Sequence, residues 1–220
     1  MSGLFPAATM GDGPNAAHPA AEPGHFAFDE ASNAEIEKVL AKYPAGRQAS
    51  AVLPLLYLVQ DQMKRQTGSA WVPRVAMDAV AVTLGMPPIR VYEVATFYLM
   101  FNTAPIGKYH VQVCTTTPCW LRGSDQVVAA CRKVTGIKGW HETSADGLFT
   151  LSEVECLGAC VNAPILQIDN DYYEDMDGAL TEQLLEGLKR GDPAPRPGSM
   201  IGRMTSAPEG GPTTLTTIAE

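Results

Sequence analysis

The stretches that decide the fold are Cys114-Thr115-Thr116-Thr117-Pro118-Cys119 and Cys156-Leu157-Gly158-Ala159-Cys160. They are two tight cysteine pairs, C-x4-C and C-x3-C, far apart in a chain of 220 residues. The fifth cysteine, Cys131, stands alone. An odd count suits no disulfide framework, and a chain of this length builds a core without one. Two close pairs instead make a four-thiolate site, provided the fold brings them together. A lone cysteine is usually a small buried hydrophobe, and Cys131, beside Val127, Val128 and Val134 on a predicted helix, is read that way. A thioredoxin-type dithiol needs C-x-x-C, which the sequence lacks.

Outward from the first pair, residues 109–113 (YHVQV) alternate and are β-branched, predicting a strand that ends at Cys114. A helix from about Ser124 to Val134 follows, then a strand ending near Val154, just before the second pair. Both pairs therefore leave strand ends, and neighbouring strand ends can lie on one edge of a sheet. Gly158 lets the backbone approach whatever the thiolates bind. Residues 165–169 (ILQID) and Tyr172-Tyr173 flank Asn170-Asp171, a predicted hairpin turn. The segment 179–190 closes as a helix with Lys189 and Arg190 at its C-terminal end, where the dipole favours cations. The order β-α-β-β-α implies a sheet with helices on its faces.

Upstream of Gly107 the pattern is helical. Ser32-Asn33-Ala34-Glu35 reads as a capping box ahead of Ile36, Val39, Leu40 and Tyr43. A second helix is expected from about Ser50 to Thr67, with Val52, Leu55, Leu56, Val59 and Met63 on one face and Pro54 in its first turn. A third follows Pro73 and stops at Gly85; a fourth covers about Ile89 to Met100. Residues 30–100 thus form a small helical bundle. Residues 1–24, rich in Ala, Gly and Pro, read as a flexible lead-in. From Gly191 no period survives, which predicts either a disordered tail or an extended arm that orders against a partner.

Composition excludes several classes. Sixteen Lys plus Arg face 24 Asp plus Glu, a net charge of −8. That balance opposes nucleic-acid binding and docking on anionic lipid by charge. The run 51–59 is interrupted by Pro54 and falls short of the ~20 residues of a spanning helix. The first basic residue is Lys38, so no secretory or transit segment is evident. A bacterial cytoplasmic protein is expected, with a mature organellar one as the alternative.

Four thiolates hold zinc or an iron–sulfur cluster. Structural zinc favours tighter knuckles, and the wider loops here better enclose a binuclear [2Fe–2S] core with two thiolates on each iron. The plant-type spacing is absent, because Trp120-Leu121-Arg122 follow Cys119, and no His pair supports a Rieske centre. With Asp125, Glu153 and Glu155 nearby in sequence, a low potential is expected, near the plant-type value of about −400 mV or somewhat above. Zinc remains open on these grounds.

The motif residues with Leu121-Arg122-Gly123-Ser124, then Glu153-Val154-Glu155 and Val161-Asn162-Ala163-Pro164, and finally Tyr172-Tyr173-Glu174-Asp175, closely resemble the small [2Fe–2S] subunit family of respiratory complex I, NADH:quinone oxidoreductase. Residues 43–48 (YPAGRQ), 93–98 (EVATFY), Gly202-Arg203-Met204-Thr205 and Pro208-Glu209-Gly210-Gly211 resemble it too, over about 25–210. The resemblance implies an α+β fold: a lead-in at 1–24, a helical bundle at 25–103, a thioredoxin-like ferredoxin domain at 104–190 and an extended Pro/Gly-rich arm at 191–220. It also implies that Cys114, Cys119, Cys156 and Cys160 ligate a cluster of the N1a type. The implied partner is the larger flavoprotein subunit, which binds NADH and FMN, within the peripheral arm on the cytoplasmic side of the bacterial inner membrane. In that family the cluster accepts single electrons off the main route to quinone; the chain has no complete active site of its own. The alternatives are a diaphorase-module subunit of an NAD-dependent formate dehydrogenase or NAD-reducing hydrogenase, a zinc-stapled interaction module, and a free-standing ferredoxin carrier.

Overall fold

The computed structural model describes residues 22–208, 210–211 and 213–214. Residues 1–21 of the expected lead-in, and Glu209, Pro212 and 215–220 of the expected arm, lie outside the described residues. The chain divides into two compact units, Met1–Lys108 and Tyr109–Glu220.

The first unit holds α1 (Glu30–Leu40), a 3-10 turn (Gln48–Ala51), α2 (Val52–Thr67), α3 (Arg74–Leu84) and α4 (Pro88–Phe97). The apolar stripe expected on α2 is buried in full, from Val52 through Leu55, Leu56 and Val59 to Met63. It packs with Val72, Ala76, Val80 and Val91 into one core. Pro54 sits in the first turn of α2, where its missing N–H has no intrahelical acceptor to lose. Gly68 and Gly85 end α2 and α3 in the left-handed conformation, at φ 82° and 63°.

Two helix ends differ from the sequence expectation. The cap of α1 is Asp29, not Ser32: its Oδ1 accepts from the Ser32 N–H at 2.7 Å. Asp29 is the better acceptor because it is itself held: its N–H donates to the buried Gln62 Oε1 at 3.0 Å, and Arg65 pairs with its carboxylate at 3.0 Å. Ser32 lies inside the helix as an acceptor from Arg65. At the other end of the bundle, α4 stops at Phe97 rather than Met100, with Tyr98 extended. The buried Gln60 draws the chain out of the helix: its Nε2 donates to the Met100 carbonyl and its Oε1 accepts from the Asn102 N–H, at 3.1 and 2.8 Å. Phe101 is thereby turned into the core.

The second unit carries β1 (Tyr109–Cys114), α5 (Thr117–Leu121), α6 (Ser124–Thr135), β2 (Glu142–Thr143), β3 (Phe149–Val154), β4 (Leu166–Ile168), β5 (Asp171–Glu174), α7 (Gly178–Arg190) and β6 (Gly198–Ser199). The sheet order is β2-β3-β1-β4-β5-β6. β1 and β3 are parallel, joined through α6, and Cys114 lies opposite Val154. β1 pairs antiparallel with β4, and β4 with β5. Helices α6 and α7 pack against each other, and Val111, Val113, Val127, Phe149, Leu151, Leu166 and Leu185 form the core.

The hairpin turn falls at Asp169-Asn170, one residue before the expected Asn170-Asp171, because Ile168 pairs with Asp171. Asp169, at φ 55°, is tied to β1: its N–H donates to the His110 carbonyl and its Oδ1 accepts from the His110 N–H. Residues 195–199 of the segment after Gly191 join the sheet within the chain. β6 pairs in parallel with β5, and the Tyr173 hydroxyl donates to the Pro195 carbonyl.

Asp29 offers a test of the bundle. The Ser32 N–H, then Arg65, hold its carboxyl below the usual carboxylate range. A folded-state pKa below the unfolded one adds stability at pH above the unfolded value, and that stability is lost as pH falls through the folded value. Asp29→Ala should lower stability by about 1 kcal/mol at neutral pH. It should also flatten the acid-induced fall of the urea midpoint, read by circular dichroism.

Candidate metal centre

The parallel register of β1 and β3 brings the two cysteine turns to one edge of the sheet. Cys114 ends β1 with its N–H on the Ile165 carbonyl at 3.3 Å. The chain then turns through Thr115 and Thr116 into α5, which carries Cys119. The Thr115 hydroxyl donates to Glu153 on β3 at 2.6 Å, linking the first turn to the strand that leads into the second. Beyond Val154 the chain passes Cys156 and Gly158, at φ 86°, into the 3-10 turn Cys160–Asn162. The Tyr172 hydroxyl donates to the Leu157 carbonyl at 3.0 Å and pins this loop to β5.

The four sulfurs are not equivalent. Cys114 and Cys119 are buried, in a small apolar cluster with Ala163 and Ile165, against which Leu157, Ala159 and Tyr172 pack. Cys156 is exposed and Cys160 half-buried, with their sulfurs 3.2 Å apart. Burial raises the Cys114 thiol, yet the Thr116 hydroxyl, 3.2 Å from its sulfur, and the N–H groups of Leu157 and Thr116 outweigh it and hold the thiol below its usual range. Cys119 is pushed up to about 12, first by burial and then by its hydrogen bond with Cys114. The bond with Cys156, then desolvation, raises Cys160. In the first pair Cys114 takes up negative charge more readily while Cys119 holds its proton.

That pattern is a donor set lacking cations. Ionising all four thiols in this space needs positive charge between them, and a metal supplies it by displacing protons. The thiols come as two pairs, one from each turn, close enough that the Cys160 charge acts on Cys119 and the Cys114 charge on Cys160. The set fits a binuclear group with one pair on each metal. The Leu157 N–H donating to Cys114 interlocks the two turns.

Cys131 is kept apart from this edge, fully buried in the helix–sheet core. Burial pushes its thiol up to about 12. The sequence pattern places no helix between Cys114 and Ser124, where α5 lies. Thr116 ahead of Thr117-Pro118 is a helix-start signal, but the Thr116 hydroxyl turns to the Cys114 sulfur and makes no cap bond. Tyr172 gave no sign of its role, since its partner is a backbone carbonyl.

Parallel strands closed by a crossover helix, an antiparallel hairpin beside them and two thiol-bearing turns at one edge define a class of small redox domain. The family of thioredoxin-like [2Fe–2S] ferredoxins matches residues 36–189, and the chain belongs to it. Over 161 residues it is 55% identical to an NADH-quinone oxidoreductase subunit of Rickettsia typhi, covering 73% of this chain and 91% of that protein. It is 49% identical over 168 residues to NADH dehydrogenase [ubiquinone] flavoprotein 2, mitochondrial, of Dictyostelium discoideum, covering 76% of this chain and 66% of that protein. Among solved structures an NAD+-reducing [NiFe]-hydrogenase shares the fold, with TM-score 0.54 and 19% identity over 65% of this chain and 23% of that one.

A neutral, fully buried thiol does not react. Iodoacetamide should leave Cys131 unmodified in the native protein and alkylate it in urea, as read by peptide mass spectrometry. Cys131→Ala should leave metal and sulfide content unchanged.

Proposed function

We propose that this chain is the small electron-transfer subunit of an NADH:quinone oxidoreductase, holding a [2Fe–2S] cluster of the N1a type on Cys114, Cys119, Cys156 and Cys160. The observation that carries the reading is the pairing of four thiols at one sheet edge, in a chain 55% identical over 161 residues to a bacterial subunit of that enzyme. Such a cluster supplies exchange of single electrons without an open coordination position. In this reading the electrons pass to and from FMN on a partner flavoprotein subunit, which also binds NADH.

The chain's own residues do three things for that chemistry. They supply four thiolates in two pairs, one pair from each turn. They aim the Thr116 and Leu157 N–H groups and the Thr116 hydroxyl at the Cys114 sulfur, offsetting negative charge in a low-dielectric pocket. They keep Cys114 and Cys119 dry beneath Ala163 and Ile165 while leaving Cys156 toward the surface. Next to these sulfurs in sequence, Trp120, Leu121 and Val161 are exposed. Large apolar side chains at the mouth of a redox site support a protein partner there. No helix among the described residues is long and apolar enough to cross a membrane. The place proposed is the peripheral arm of the complex on the cytoplasmic side of the bacterial inner membrane.

Protein purified under nitrogen should be red-brown, carry about two iron and two sulfide per chain, and give a rhombic spin-half resonance on reduction. A colourless protein with one zinc would overturn the reading. Cys114→Ser and Cys156→Ser should each lose most of the iron and the signal; an unchanged reduced spectrum from either would refute the ligand assignment.

A further inference from the structure

Residues 198–207 return to the second cysteine turn. From β6 they fold over Val161 and Asn162, the residues that follow Cys160. There Arg203 and Asp175 form an ion pair, 2.8 Å between Nη1 and Oδ1, with side-chain exposures of 8% and 3%. The same guanidinium donates from Nε to the Ala207 carbonyl at 2.9 Å and from both terminal nitrogens toward the Val161 carbonyl at 3.4 Å. Ser199 completes the arrangement: its hydroxyl donates to Asp175 Oδ2 at 2.6 Å and accepts from the Arg203 N–H at 3.1 Å. Asn162 is clasped from both sides, its carbonyl accepting the Asp175 N–H at 2.7 Å and its Nδ2 donating to the Thr205 carbonyl at 2.8 Å. Asp175 adopts φ 56°, a left-handed conformation that Asp tolerates better than most residues.

We infer that residues 198–207 are a latch on the second thiolate pair, and that Arg203 is its positioning residue. The inference rests on the ligand assignment proposed above. The physical argument is one of satisfaction and burial. A buried carboxylate and guanidinium persist only when paired and hydrogen-bonded, so each fixes the other. Asp175, fixed in turn by the Asn162 carbonyl, leaves Arg203 one orientation, with its fork on Val161. The turn bearing Cys160 is thus held between β5 and the arm. Without the arm, the 3-10 turn keeps its internal bonds, Asn162 N–H to Ala159 and Ala163 N–H to Cys160, and the links of Asn162 to Asp175 and Glu174, but loses the Arg203 fork on Val161 and the Thr205 carbonyl on Asn162. Arg is required over Lys because a planar fork reaches several acceptors at once.

The test compares the full chain with Arg203→Gln, Arg203→Lys, the pair Arg203→Gln with Asp175→Asn, and a chain ending at Pro197. In the metal-free protein, hydrogen exchange at Asn162 and Ala163 should quicken at least about tenfold in Arg203→Gln and in the shortened chain. In the loaded protein, loss of colour to a chelator should quicken by a similar factor, with altered g-values in the reduced spectrum. Arg203→Lys should recover part of both effects. The double variant buries no lone charge yet still lacks the bridge to Val161, so it should remain fast. Wild-type exchange and cluster retention in Arg203→Gln would overturn the latch, as would a detached arm with unchanged cluster retention. Should the unaltered chain hold no cluster at all, the proposed function fails, while the exchange rates still judge the latch.

Discussion

One pairing underlies everything else in the second unit: β1 lies parallel to β3 with Cys114 opposite Val154. A side chain period of two means that a slip of one residue would exchange the faces of the strand. The alternation of buried Val111 and Val113 on β1 with Phe149 and Leu151 on β3 therefore specifies the register. Because the pairing is parallel, both strands end at the same edge, and the turns that leave them carry all four sulfurs of the candidate centre. An antiparallel pairing of the same strands would have sent the two cysteine motifs to opposite ends of the sheet. The crossover through α6 is thus the reason two distant sequence motifs become one site.

The charge pattern at that edge follows from the same geometry. Buried Cys114 meets N–H groups from its own turn and from Leu157 of the other, so ionisation at that sulfur is favoured. Cys119 receives the Ile165 N–H, but burial and then its hydrogen bond with Cys114 outweigh it, and the thiol stays protonated. The donors at this edge offset negative charge on Cys114, and the bare thiols divide the available stabilisation unequally. Stability of the first unit follows a plainer rule. A continuous apolar stripe on α2 is buried, and two glutamines inside it, Gln60 and Gln62, bind the backbone segments that enter and leave the bundle.

Much of this was legible in the sequence, and the exceptions have causes. Strands and helices with strong periodicity, such as YHVQV and the stripe from Val52 to Met63, lie where the pattern puts them. The two cysteine spacings identified the site residues as candidates before any coordinates. What escaped were effects set by a side chain distant in sequence. Gln60 truncates α4, Asp29 displaces Ser32 as a cap because Gln62 and Arg65 hold it, and His110 shifts the hairpin turn by one residue. None of these partners leaves a local trace. The tail is the largest case: it has no hydrophobic period, since what orders it is one strand of two residues and a polar cluster about Arg203.

The lateness of that cluster in the chain has its own consequence. A ribosome delivers residues in order, and the Val161 carbonyl meets its Arg203 partner only 42 positions later. Every sulfur donor has therefore been synthesised well before the piece that covers the last of them. A prematurely terminated product would leave the second cysteine turn without its contacts to Arg203 and Thr205. The covering of the second cysteine turn must therefore wait until the nascent arm has left the ribosome.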